Sequence, residues 1–257
     1  MNKFLIIPAL NRIDESIALA EKYGLGFEFN DFFHPAMLSD KKRLDETIAR
    51  YNSLRMPDYL TMHGDFFDVI VFSEDEEIRR ISEKRIAQSI DAAKRLGARG
   101  VVFHTNHNPF LNTREYLEHW LELNTNYWEM VLADNPDINI YIENMFDSSP
   151  DLLAELSERL SRFDNYGVCF DYAHAVISST PVEQWTEKLV PYVKHMHIND
   201  NDLFSDLHLA VGEGKIDWGV FKTALKEKFP DATVLIETST IERQEKSIEY
   251  LLENGIM

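Results

Sequence analysis

Nine side chains of metal-binding type stand at or just past the ends of successive short apolar runs: His63, His104, Glu143, Asp171, His174, His197, Asp206, His208 and Glu237. Imidazole and carboxylate together are hard-to-borderline ligands. They suit Zn²⁺, Mn²⁺, Fe²⁺ or Co²⁺, and a set without cysteine argues against a structural zinc knot. Nine donors exceed the needs of one ion. With Glu143 or Glu237 bridging, they suffice for two or three, so the expected cofactor is a divalent metal, manganese or zinc, in one to three copies. Scattered His, Asp and Glu mean little by themselves. A lone strand-end histidine such as His63 or His104 is more often hydrogen-bonded structure than ligand, and Asp-x-His or Asp-x-x-His pairs arise often by chance. Position gives the set its weight.

The positions follow from a repeat. Short β-rich runs alternate with longer segments of helical period. The runs cover residues 4–7, 26–29, 58–63, 100–104, 138–143, 167–171, 193–198 and 232–236. Helices are expected near 13–23, 40–53, 74–96, 113–132, 181–189 (the weakest), 218–229 and 242–252, with one more opened by Ser148-Ser149-Pro150-Asp151 through cap and first-turn proline chemistry. In 74–96 Ile78, Ile81, Ile86, Ile90 and Ala93 fall on roughly one face, and Gly97 is a stop signal. Eight strand-then-helix units make this an α/β chain of the (β/α)8 TIM-barrel class. A doubly wound sheet would usually show a Gly-rich turn after an early strand, and none is present. In such a barrel the catalytic face lies at the C-terminal strand ends, where the nine residues fall.

Individual residues sharpen this. Glu143 follows Ile140-Tyr141-Ile142 and Glu237 follows Val234-Leu235-Ile236. A carboxylate there faces water or an ion, because unpartnered burial is costly. Asp171-Tyr172-Ala173-His174 reads as a strand end turning back, bringing carboxylate and imidazole together. Asp206-Leu207-His208 places two donors on one side if that loop is extended. His195 and His197 share a strand face, so His195 lies one layer below a rim-level His197, as packing or support. Substrate contacts are expected from Lys215, in the turn Gly212-Glu213-Gly214-Lys215, from Phe66 in the Phe66-Phe67 pair, and from the level of His195.

Bulk composition limits the function classes. The chain has 257 residues, 44% hydrophobic and 12% aromatic, enough for one large core, and no linker divides it, so residues 1–257 read as a single domain. Lys plus Arg is 26 against 44 Asp plus Glu, a formal net charge of -18. Such a surface repels phosphate polymers and disfavours broad nucleic-acid binding, although clustered divalent ions can make one mouth locally positive. The single cysteine, Cys169, permits no disulfide within one chain, which suits a reducing, cytoplasmic setting. The N-terminal apolar run is too short for a signal peptide and no stretch is long enough to span a bilayer. Nothing argues against a homo-oligomer.

The motifs also carry a resemblance. His-Gly-Asp-Phe-Phe-Asp at 63–68, Val-Val-Phe-His at 101–104, Ile-Glu-Asn at 142–144, Phe-Asp-Tyr-Ala-His at 170–174, His-Met-His-Ile-Asn-Asp at 195–200, the block 206–218 and Ile-Glu-Thr at 236–238 resemble the xylose isomerase-like TIM barrel superfamily. That superfamily unites sugar and sugar-phosphate isomerases and epimerases with endonuclease IV. Resemblance to the isomerase branch implies one divalent ion, often manganese, held by Glu143, Asp171, His197 and Glu237, with the two glutamates moving protons between adjacent sugar carbons. Resemblance to endonuclease IV implies three zinc ions held by all nine residues. That branch normally opens with a Gly-Ala-His-Val type of first strand, where this chain has Ile6-Ile7-Pro8-Ala9. With the -18 charge, this departure favours a metal-dependent isomerase or epimerase of a small sugar or sugar phosphate. The alternative is a di- or trinuclear phosphodiesterase, and a non-catalytic sugar- or metal-binding barrel ranks third.

Overall fold

Eight parallel strands close on themselves in sequence order: β1 (Phe4–Ile6), β2 (Gly26–Phe29), β3 (Leu60–His63), β4 (Gly100–His104), β5 (Asn139–Glu143), β6 (Tyr166–Asp171), β7 (Val193–Ile198) and β8 (Thr233–Ile236). The ring shuts where β1 meets β8, through Phe4↔Val234, Leu5↔Leu235 and Ile6↔Ile236. The structure is a computed structural model describing residues 2–66 and 68–257. The helices are α1 (Ile13–Tyr23), α2 (Pro35–Ser39), α3 (Lys41–Asn52), α4 (Glu76–Arg95), α5 (Arg114–Asp134), α6 (Asp151–Leu160), α7 (Tyr172–Ile177), α8 (Val182–Leu189), α9 (Trp218–Glu227) and α10 (Ile241–Glu253). This is the expected (β/α)8 barrel, with α2 and α7 as short additions on its loops. Among the described residues no helix is long and apolar enough to cross a membrane.

Side-chain parity positions everything that follows. In a strand, successive side chains point to opposite faces. Along β6, Tyr166, Val168 and Phe170 join the outer core, where Phe170 stacks on Trp185 of α8 at 6.3 Å between ring centres. Gly167, Cys169 and Asp171 therefore point into the barrel. The same phase holds on β4, β5, β7 and β8: Val101 and Phe103, Ile140 and Ile142, Met196 and Ile198, Val234 and Ile236 all pack outward. A separate inner cluster of Val102, Tyr141 and Cys169 fills the barrel axis. One step up from that layer, the inward positions are His104, Glu143 and Asp171, with His197 registered beside Asp171.

Helix ends follow their local chemistry. Gly97 sits at φ 71°, and Ala98 N donates to Ala93 O at 2.9 Å while Gly97 N donates to Lys94 O at 3.1 Å. That is the double closure of a left-handed C-terminal cap. The helical face of α4 departs from expectation. Ile86, Ile90 and Ala93 are buried, but Ile78 is 41% and Ile81 50% exposed. Ile81 lies about 120° round the helix from the buried face. Ser82 and Ser89 occupy that face instead, because each hydroxyl satisfies a loop amide: Ile70 N at 2.8 Å and Asp65 N at 3.0 Å. At α6, Pro150 is the residue before the helix rather than its first member, a shift of one within ordinary boundary scatter.

Candidate metal centre

The C-terminal mouth of the barrel holds a cavity of about 580 Å³, of the size that small-molecule sites occupy. His63, His104, Glu143, His174, Asp206, His208 and Glu237 line it. Asp171 and His197, both fully buried, form its floor. All nine residues thus belong to one connected set. Glu143 is its hub: its Oε2 stands 3.3 Å from His197 Nδ1, 3.4 Å from His104 Nε2 and 3.6 Å from His63 Nε2. Glu237 Oε2 reaches His197 Nδ1 at 3.7 Å from the opposite wall. Three triads among the described residues have ligand atoms mutually within 4.8 Å: Cys169–His195–His197 below the floor, and His63–His104–Glu143 and Glu143–Asp171–His197 at the mouth, the last two sharing Glu143.

Backbone carbonyls set the histidine tautomers. His63 Nδ1 lies 2.9 Å from Gly64 O, His174 Nδ1 2.9 Å from Asn144 O and His208 Nδ1 3.0 Å from Glu237 O. A carbonyl only accepts, so each Nδ1 carries the proton, and in the neutral ring Nε2 keeps its lone pair. His63 Nε2 then faces His104 Nε2 at 3.0 Å. Two nitrogen atoms so placed need a proton or a cation between them. Two ligands on a tetrahedral zinc, each about 2.0–2.1 Å from it, sit roughly 3.3 Å apart, and the spacings above bracket that distance. Glu143 Oε2, Asp171 Oδ2, His197 Nδ1 and Glu237 Oε2 are buried without a hydrogen-bond partner. Such orphaned atoms are costly unless something binds them. The donor set therefore fits a divalent cation.

Charge is divided unevenly among these groups. Burial by itself would raise the Glu143 carboxyl, but the His197 and His104 rings outweigh it and hold it well below the usual carboxylate range. For Asp171 burial wins: with Glu143 and Glu237 adding and His174 opposing, its carboxyl is pushed up to about 7. Burial disfavours charge on His197 and His174 too, yet the surrounding acidic groups raise both well above an ordinary imidazole. His208, beside Asp206 and Glu237, rises against its own burial to about 10.

The loops bring in their ligands by specific local turns. Asp171, the last residue of β6, turns the chain back as the N-cap of α7, and its Oδ1 accepts from His174 N at 2.7 Å, which brings the two residues together as expected. Asp206 and His208 meet at 3.0 Å although the loop is not extended: His208 adopts φ 46°, a left-handed conformation. Strain of this kind persists only where its surroundings hold it in place. Asn106, at φ 48°, donates to Val69 O at 2.8 Å and fixes the loop that carries Phe66. Phe66 lines the cavity and stacks on His104 at 4.6 Å. Phe67 lies outside the described residues.

Two expected substrate contacts are elsewhere. Lys215 is exposed and does not line the cavity; its backbone N–H donates to Asn201 O at 2.8 Å, and its turn closes over Asp200 rather than over the mouth. His195 is fully buried beneath the floor, stacked on Tyr141, because strand parity places it one layer below His197. It cannot touch a ligand in the cavity. Sequence reasoning also missed Glu28. This β2 carboxylate is fully buried in the barrel axis. Its Oε2 accepts from Thr61 Oγ1 at 2.7 Å and from His195 Nε2 at 2.9 Å, and Thr233 Oγ1 donates in turn to His195 Nδ1 at 2.6 Å. Its Oε1 stands 3.0 Å from His197 Nε2, off the line of a straight hydrogen bond. The available signal was a charged residue inside the otherwise aromatic strand Gly26–Phe29.

Known proteins share this architecture. The TTHB071 protein of Thermus thermophilus, from a crystal soaked with ZnCl2, is 26% identical with a TM-score of 0.79, covering 98% of this chain and 97% of its own. A D-tagatose 3-epimerase-like protein is 25% identical with a TM-score of 0.76, covering 98% and 96%. The fructoselysine 3-epimerase of Shigella flexneri is 30% identical over 154 residues, 55% of this chain and 53% of that enzyme. The family model described as xylose isomerase-like TIM barrel matches residues 17–254. With that match across nearly the whole barrel, the chain belongs to the xylose isomerase-like TIM barrel family.

Proposed function

We propose that this protein is a divalent-metal-dependent isomerase or epimerase of a small sugar or sugar phosphate, with Glu143 and Glu237 as its acid–base pair. One observation carries the reading: two carboxylates, one ending β5 and one just past β8, approach the same His197 nitrogen from different walls, at 3.3 and 3.7 Å. Glu143, Asp171, His197 and Glu237 would hold the ion, manganese or zinc, which when bound polarises adjacent substrate oxygens and acidifies the C–H between them. The depressed Glu143 carboxyl is ionised at neutral pH and ready to accept that proton. Glu237 returns a proton from the other side. Return to the same carbon inverts its configuration, and return to its neighbour isomerises the sugar. Ile7, Phe33, Phe66 and Phe146 supply an apolar wall that limits water at the reacting carbon. The epimerase-type relatives support the same class.

The shared Glu143 favours one rival, a polynuclear hydrolase in which His63 and His104 are also ligands. The -18 charge weighs against a duplex substrate. The test is solvent-deuterium incorporation into a panel of ketoses and their phosphates by the Mn²⁺-loaded protein, together with metal counted per chain. Label in one sugar with about one ion per chain supports the proposal. No label in any sugar, about three zinc ions and cleavage of an abasic-site duplex would replace it with the hydrolase.

A further inference from the structure

Arg243 is the only lysine or arginine among the described residues lining the metal-centre cavity. It lies in the first turn of α10, and its Nη1 donates to His208 O at 3.2 Å, which fixes the guanidinium against the mouth. No ion pair holds it among the described residues. The neighbouring carboxylate, Glu242, is turned away to Arg12 at 2.6 Å. Arg12, Arg95, Arg114, Arg159 and Arg162 are all paired with carboxylates. Arg50, Arg79 and Arg99 likewise bond backbone carbonyls and no carboxylate, but none of them lines the cavity, so position and not the missing ion pair sets Arg243 apart.

We infer that Arg243 reads an anionic group, a phosphate or carboxylate, on the substrate of this site, whose cavity Ser239 also lines. The inference rests on the proposed sugar chemistry and narrows it to anionic sugars. A guanidinium presents a planar fork of donors that matches both oxyanions. Its bond to His208 O uses one of those donors and leaves the others for a ligand. The cavity wall beside it runs through His208 and Glu237, so an anion held here places the adjoining carbons of the same molecule toward the Glu143–Glu237 pair. The exposed Lys215 does none of this.

The experiment compares wild type, Arg243→Gln and Arg243→Lys, each metal-loaded and checked for fold by circular dichroism and for metal content. Binding of inorganic phosphate is followed by ³¹P line broadening with Zn²⁺ as the metal. KM is measured for a ketohexose, for its terminal phosphate ester and for the matching sugar acid. Arg243→Gln should weaken phosphate binding and raise KM for the anionic substrates tenfold or more, leaving KM for the neutral sugar and the metal content unchanged. Arg243→Lys should recover part of the loss. Whether the phosphate ester or the sugar acid responds more identifies the anion. Equal loss on neutral and anionic sugars, or loss of metal, would make Arg243 a clamp on the His208 loop and overturn the inference. So would phosphate binding that the variant leaves intact. Phosphate binding that depends on Arg243 without turnover of any sugar would preserve the anion site while removing the isomerase reading.

Discussion

Two sets of buried carboxylates at the C-terminal end of the barrel differ in how fully they are satisfied. Asp200 is 1% exposed, and four donors surround it: Asn201 N at 2.9 Å and Ile216 N at 3.1 Å on Oδ1, Gly212 N and Trp218 Nε1 at 2.9 Å each on Oδ2. Glu143 and Asp171 are as deeply buried, yet each keeps an oxygen with no hydrogen-bond partner, as does Glu237 beside them. Burial of a carboxylate therefore does not mark chemistry. Open lone pairs that converge on one point with neighbouring imidazoles do, because a group whose desolvation is already offset by fixed donors has nothing left to offer a ligand. The Gly-rich turn belongs to the satisfied cluster. A Cβ on Gly214 would lie 2.2 Å from Asp200 Oδ1, so glycine is there to let the turn close on the carboxylate.

The largest expected effect falls on the open cluster. Glu143→Gln keeps the shape but loses the charge that the His197, His104 and His63 rings share. Turnover should fall on the order of 10²–10⁴-fold, and metal content should fall with it. The urea midpoint of the metal-free protein at neutral pH should fall too, because the depressed Glu143 carboxyl marks a charge that the folded state stabilises through His197 and His104. Steady-state rates, metal analysis and urea titration check the three statements, and retained turnover would erase the distinction between the clusters.

Glu28 tests how far the open cluster extends downward. A carboxylate behind a ligating imidazole fixes the ring and raises its basicity, and its loss typically weakens metal binding about 10–100-fold. Glu28→Gln should show that loss in a chelator competition, while kcat at saturating metal changes less. Unchanged affinity would mean that Glu28 serves only the His195–Thr61–Thr233 network.

The pH response follows from the Asp171 carboxyl at about 7. Metal takes the deprotonated carboxylate, so affinity should drop as pH falls below about 7, on the order of tenfold per unit for each proton displaced. The metal-free protein should respond in the opposite sense through this group. Its folded-state value exceeds the unfolded one, so Asp171 favours folding at low pH, and that contribution is lost as pH rises from the ordinary carboxyl range to about 7. Isothermal titration across pH 5.5–8 measures the first response and urea midpoints with chelator present the second. Affinity that is flat across this window would place Asp171 outside the metal shell.

The fold was legible because hydrophobic alternation, helix stops such as Gly97 and eight repeating units all encode local geometry. Much of the mouth was legible for the same reason: parity at the strand ends carries His104, Glu143, Asp171 and Glu237 inward together. What sequence could not show depends on contacts between distant segments. Lys215 looked like a substrate contact because a Gly-Glu-Gly-Lys turn is equally good as an anion loop or as a clasp, and only the position of Asp200 decides. Glu28 looked like an ordinary strand residue because its partners lie 33 and 167 positions away. Arg243 was silent in its own helix, where nothing local distinguishes this half-buried residue from the chain's other arginines.

The smallest expected effect on function comes from the satisfied cluster. Trp218→Phe removes one donor to Asp200 and keeps an aromatic ring against Phe221 and Tyr172, 5.3 and 6.1 Å away between ring centres. A hydrogen bond to a buried charge is worth about 1.5–3 kcal/mol, and a loss of that order should appear in the unfolding midpoint. Turnover per folded molecule and metal content should not change. The separation is fair because the backbone pair between Asp200 and Leu209, at 3.0 and 2.9 Å, holds the strand next to His208 without help from the indole. If turnover drops while the fold persists, the clasp acts on His208 through that pair, and the two clusters are a single unit.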